Sequence, residues 1–197
     1  MNGLYNFIIK PKYERYTNKK SIGGSELILN TELQNHKYVS REAVIVALPL
    51  AIETELLPND EIVIHHNIFR RFHDIKGIEK DSRSYFRDDL YLANEDQIYL
   101  FKRNNIMKTT RGFYFVKPLE NTDMFSLDDE KPLKGVIKYS NDSNEVPVKI
   151  GDTVGFRPTS EFEFIINGER LYRVPEKSIT ILYEHTRNER EYNPSWA

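Results

Sequence analysis

The chain has 197 residues, 39% of them hydrophobic and 29% charged, with a formal net charge of −2 and no cysteine. This composition suits one large or two small packed domains, and it excludes disulfides, thiol catalysis and cysteine-based zinc or iron–sulfur centres. The nearly balanced charges give no global pull toward nucleic acid or an anionic membrane. The apolar run in "MNGLYNFIIKPKY" is too short for a signal peptide, and no stretch nears the ~18 apolar residues that span a bilayer, so a soluble, cytoplasmic protein is expected.

Along the chain, "FIIKP" (7–11) is a β-branched and aromatic run closed by proline, as at the end of a strand. "KKSIGGSELILNTE" (19–32) sets Leu27, Ile28 and Leu29 in a row behind Gly23-Gly24. The paired glycines and the lack of period-2 alternation argue against a regular strand, so the triplet reads as loop awaiting a partner. "REAVIVALPL" (41–50) is a buried-strand candidate, and "PND" is a turn feeding "EIVIHH". A long hairpin is expected over 61–86 with its tip near Asp74–Gly77, followed by a strand in "NEDQIYLF". The second half runs through "YFVKP", "LKGVIKYS" (133–140), the turn "IGD" with "TVGF", and "SEFEFIINGERLYRV" (160–174). In the last of these, Asn167-Gly168 supplies the two positive-φ residues of a type I′ hairpin turn. "PEKSITIL" then leads to a polar tail, read as a flexible end or a strap on a neighbouring subunit. No helix-period stretch exceeds two turns.

The two halves repeat each other. Pro11 and Pro118 end like runs (118 − 11 = 107), Asp60 and Asp152 sit in like turns (152 − 60 = 92), and Ile98 and Ile179 open like strands (179 − 98 = 81). The falling offset gives the first repeat about 15 extra residues in its opening stretch and about 11 between its second and third signals, from those differences. An all-β chain is expected, built as two small barrels over 1–103 and 104–185 with a polar tail at 186–197.

This order of signals resembles the GroES co-chaperonin family, in the tandem form of bacteriophage-encoded members. The likeness rests on "FIIKP", "SIGGSELIL", "EAVIVALPL", "PNDEIVIHH" and the closer "KIGDTVGF", a hairpin, and "DQIYL" with "KSITI", and it covers 4–103 and 112–184. It implies a mobile loop at 19–34 whose Ile22, Gly23, Gly24, Leu27, Ile28 and Leu29 dock into a groove of a GroEL-type group I chaperonin. It also implies a hairpin of Phe72, His73, Asp74, Ile75, Lys76 and Gly77 that roofs a dome, and a homo-oligomeric ring, seven-fold in the family. ATP would be bound and hydrolysed by the chaperonin, with no cofactor on this chain. Two features depart from the family: Ser25 and Glu26 separate the glycines from the triplet, and the second repeat has no such loop.

Energetics favour many loops acting together. Burying three aliphatic side chains yields roughly 5 to 9 kcal/mol, while ordering a loop costs on the order of 1 to 2 kcal/mol per residue. One loop therefore binds weakly and several on one ring add through effective concentration.

Other constellations are weaker. On an extended strand His65 and His66 face opposite ways and His73 is too distant to share an ion, so no metal site is expected. "NIFRRFHD" (67–74) mixes aromatics with arginines, yet Phe69 and Phe72 should point to opposite sides, and no nucleic-acid site is expected. Asp88-Asp89 and Asp128-Asp129 read as solvated turns. No phosphate loop, nucleophile elbow or zinc helix is present, so the chain is expected not to be an enzyme. The rival reading keeps the fold as a structural or assembly-adaptor protein of a virus particle. A dehydrogenase with a GroES-like domain is disfavoured, because no dinucleotide-binding half follows.

Overall fold

A computed structural model describes residues 2–16, 19–22, 25–28, 38–123, 126–184 and 189–197, with backbone alone for 19–22 and 25–28. Two compact units divide at 106/107. All regular elements among the described residues are strands or single 3-10 turns, in keeping with the all-β expectation.

Strands run in chain order as β1 (Phe7–Pro11), β2 (Lys19–Ile22), β3 (Ser25–Ile28), β4 (Glu42–Ala47), β5 (Glu61–Ile64), β6 (Arg71–His73), β7 (Glu79–Asp81), β8 (Tyr85–Arg87), β9 (Leu90–Ala93), β10 (Ile98–Arg103) and β11 (Ile106–Thr109). They continue as β12 (Phe113–Glu120), β13 (Glu130–Tyr139), β14 (Thr153–Phe156), β15 (Phe162–Ile166), β16 (Glu169–Pro175) and β17 (Ile179–Tyr183). The larger sheets are antiparallel, with orders β11-β10-β5-β4-β1-β9-β8 and β15-β16-β12-β13-β14-β17. Both are open sheets with two edges. The hydrogen bonding therefore does not close the barrels that regular strand spacing suggested, since spacing reports strand number and not closure.

The internal repeat is visible strand by strand. Read from one end, β10-β5-β4-β1-β9-β8 matches β17-β14-β13-β12-β16-β15. The registers match as well: Ile9 pairs with Ile45 as Val116 pairs with Ile137, and Phe7 pairs with Ala93 as Tyr114 pairs with Val174. Even a bulge recurs, at Ile8/Ile9 and Phe115/Val116. The cores use the same sites: Phe7, Ile9, Ile45, Ile62, Ile64 and Ala93 in unit 1 correspond to Tyr114, Val116, Ile137, Val154, Phe156 and Val174 in unit 2. On these four matched strand pairs the alternation of inward residues in one register selects the same buried positions.

The two predicted turns are built alike. Asp60 Oδ2 accepts from the Leu57 amide at 2.8 Å, and Asp152 Oδ2 accepts from the Lys149 amide at 2.8 Å. The amides of Asn59 and Gly151, both at positive φ, donate to Ile45 and Ile137. Asn167 and Gly168, at φ 53° and 76°, make the expected I′ turn.

Three sequence expectations are corrected. Proline does not close the second strand, because β12 runs on through Pro118 to Glu120, with Pro118 opposite Gly135. The unit 1 counterpart of the β15–β16 hairpin is β8–β9, turning at Asp88-Asp89 (φ 48° and 60°), and not the 61–86 hairpin. The β6–β7 hairpin is an insertion ahead of it, and accounts for the surplus of the first repeat between its second and third signals. Finally, residues 189–197 are docked on unit 2: the Glu120 amide donates to Arg190 O and the Tyr192 amide to Pro118 O, both at 2.8 Å. Asn193 Oδ1 accepts from Lys117 Nζ at 2.7 Å and from the Arg170 amide at 2.9 Å, and Glu189 receives Lys131 and Lys134. The tail is thus a clasp on its own unit.

Candidate functional site

Unit 1 carries two excursions that have no counterpart among the described residues of unit 2. The first lies between Tyr16 and Val39, in the connection from β1 to β4. Its β2 and β3 pair antiparallel, Lys19 with Ile28, Lys20 with Leu27, Ser21 with Glu26 and Ile22 with Ser25, as a two-stranded sheet of their own. This corrects the expectation of an irregular loop. Lys19–Ile22 and Ser25–Ile28 pair although the sequence there lacks period-2 alternation, the signal on which the loop expectation rested. Ile22, Leu27 and Ile28 are thereby placed on the hairpin backbone, while Gly23, Gly24 and Leu29 lie outside the described residues.

The second excursion is the β6–β7 hairpin, with Arg71 opposite Asp81, Phe72 opposite Lys80 and His73 opposite Glu79. Its tip falls at Asp74–Gly77, as expected. Asp74 Oδ1 accepts from the amides of Lys76 and Ile78, each at 2.9 Å, and Gly77 takes φ 75°. Those amide bonds, the Ile78 one foremost, hold the Asp74 carboxyl below the usual carboxylate range. The tip leaves Ile75 fully exposed (103%), with Phe72 and Ile78 partly so.

Both excursions stand on one base. Tyr16 and Val39, buried in the unit 1 core, form an antiparallel bridge that closes the neck of the first, reinforced by the Ser40 amide on Arg15 O at 2.8 Å. The Tyr16 hydroxyl accepts from the Arg71 amide at 2.7 Å, at the root of the second. Arg15 reaches across to the Phe69 carbonyl at 3.1 Å and to Asp81 at 2.8 Å, with its guanidinium over the Tyr91 ring. Ser82 Oγ donates to Ile68 O, and Arg71 pairs with Glu79 at 2.8 Å. Sequence reading missed this clamp. Arg15 and Tyr16 sit in a polar stretch whose partners lie more than 50 residues away.

The weaker candidates are also placed. His65 and His66 stack with ring centroids 4.4 Å apart, because the chain leaves the strand at Ile64 and enters a 3-10 turn; the opposite-facing arrangement presumed an extended strand. Among the described residues no group of three or more His, Cys, Asp or Glu is arranged to hold a metal. Phe69 is buried and Phe72 exposed. Among those residues too, no helix is long and apolar enough to cross a membrane.

The chain matches no protein-family model and no curated protein.

Proposed function

We propose that this chain is a tandem co-chaperonin of the GroES type: a non-enzymatic lid that docks an ATP-driven group I chaperonin through residues 19–34 of unit 1. Both units are read as GroES-like domains assembled in a homo-oligomeric ring in a bacterial cytoplasm, with viral proteins as clients. One observation carries the reading. In a repeated fold whose six common strands coincide, β2 and β3, which carry Leu27 and Ile28, pair with each other as a sheet of their own and have no counterpart among the described residues of unit 2. A hairpin with a neck at Tyr16–Val39 can be presented to a groove without disturbing the sheet that carries it. Weak individual docking summed over a ring also permits release when the chaperonin changes shape.

The test is refolding of a stringent client by a GroEL-type chaperonin with ATP and the purified chain. The natural chain supports refolding, and Leu27→Ser with Leu29→Ser lowers the yield at least tenfold while the fold is retained. Proteolysis within 19–34 is blocked by chaperonin plus nucleotide. A chain that gives no assistance, and whose 19–34 segment gains no protection, is instead a static particle component.

A further inference from the structure

We propose that the outer edge of β17 is a self-association surface, on which a second copy of this chain pairs its own β17 antiparallel about a two-fold axis. In unit 1, the equivalent strand β10 is interior: the chain turns at Asn104-Asn105, both at positive φ, and returns as β11 beside it. Leu100 and Phe101 are 1% and 4% exposed. Their repeat counterparts on β17, Ile181 and Leu182 (offset 81), are 49% and 51% exposed. Among the described residues no return strand follows β17, and the chain beyond it reappears on β12. Consecutive residues on opposite faces are thus both open, beside a row of free backbone groups.

The other edges are guarded by charge. β15 carries Glu163, paired with Arg170; β8 carries Arg87 and ends in Asp88-Asp89; β11 carries Lys108, paired with Asp142. "ITILY" has no charge at all. The charges lie just outside it, with exposed Lys177 before the strand and exposed Glu184 after it. Antiparallel pairing of two such strands puts the Lys177 end of each alongside the Glu184 end of the other copy, twice by symmetry, whereas parallel pairing would bring like-charged ends together. The strand is therefore complementary to itself, and a contact of this kind closes at two copies. A single five-residue edge buries less than the ~1,200 Å² of standard interfaces, which makes it a weak contact. It stands apart from the lid reading, because β17 belongs to unit 2 and the β2–β3 hairpin to unit 1.

Because the chain has no cysteine, single Ile181→Cys and Leu182→Cys variants of the full chain report the contact directly. Mild oxidation at tens of micromolar should link at least one of them to itself as a disulfide dimer, since opposed residues near the axis come within bridging distance. Ile150→Cys, on an exposed site of the same unit, is the control and should stay monomeric on a denaturing gel. Sedimentation of Ile181→Lys should give half the mass of the natural chain, whether or not unit 1 also forms a ring. Equal masses, with no self-linking at 181 or 182 above the control, overturn the proposal. The refolding assay is scored separately, so failure there leaves this result standing and the reverse.

Discussion

Unit 1 and unit 2 bury the same six core positions on four of their six shared strands, and differ in what they hang on that frame. Unit 1 adds the hairpin of 19–28 and the hairpin of 71–81, joined at the root by Arg15 and Tyr16. Unit 2 adds a C-terminal clasp at the end of β12 and leaves β17 bare. The lesson is that the frame tolerates additions where strands end, while its hydrogen-bonded centre keeps one register. Elements found in one unit alone are thus the ones to ask about function, and the shared ones about stability.

The largest way to break the comparison is to remove what unit 2 alone possesses. Truncation after residue 188 deletes two backbone bonds to β12, the three bonds of Asn193 and the pairing of Glu189 with Lys131 and Lys134. At about 1 kcal/mol net for each of the stronger bonds, unit 2 should lose about 3 to 5 kcal/mol and unfold first in a denaturant titration, with unit 1 unchanged. Coincident, unshifted transitions would mean that the tail is only resting there.

A sharper contrast lies in the matched turns. Asp60 and Asp152 each hold a turn amide, but Asp60 is also buried and bound in a fork by Arg103, whose Nε donates at 2.9 Å. The residue at the repeat position of Arg103 is Glu184 (103 + 81), which cannot serve Asp152 in this way. Asp60→Ala should therefore cost about 2 to 3 kcal/mol, and Asp152→Ala about 1 kcal/mol, by thermal or urea unfolding. Equal costs would show the Arg103 fork to be energetically idle.

The root of the two hairpins gives a smaller effect. Tyr16→Phe removes the acceptor of the Arg71 amide and keeps the ring in the core. It should cost about 1 kcal/mol and raise amide exchange at Arg71, with no effect on unit 2. If exchange also rises in β2 and β3, the clamp couples the two excursions; if only Arg71 responds, each stands alone.

What the sequence revealed follows from which forces are local. Repeat positions such as Ile45 and Ile137 were legible because β-branched residues at fixed offsets announce buried strands, and Asn167-Gly168 because a positive-φ pair has few other uses. The β8–β9 hairpin was hidden because Asp88-Asp89 reads as solvated charge, although aspartate also tolerates that conformation. Asn104-Asn105 was missed for a similar reason. The excursions were legible as segments, through Gly23-Gly24 and Asp74–Gly77, but their shared root was not: Arg15 to Phe69 and Tyr16 to Arg71 are tertiary contacts between polar residues with no periodic signature. The tail escaped for the same cause, since Asn193 and Glu189 are ordinary surface residues until β12 and its lysines are brought beneath them.

The smallest effect separates the two hairpin tips by pH. The β6–β7 tip depends on an ionised Asp74, whose carboxyl is held low by the amides of Ile78 and Lys76. The β15–β16 tip is held by neutral Asn193, donating to Gly168 O and accepting from the Arg170 amide. A carboxyl with a lowered folded-state value contributes its stabilisation in full above the unfolded value of about 4, and loses it as pH falls through the folded value. Protection of the Ile78 and Lys76 amides should therefore be constant from neutral pH down to ordinary carboxylate titration, then fall on further acidification, while the Arg170 amide is lost only with unit 2 itself. Asp74→Asn should show the low protection at neutral pH and no acid step. An acid step that persists in that variant would assign the tip's order to another group, and the rigid presentation of Ile75 would then need a different cause.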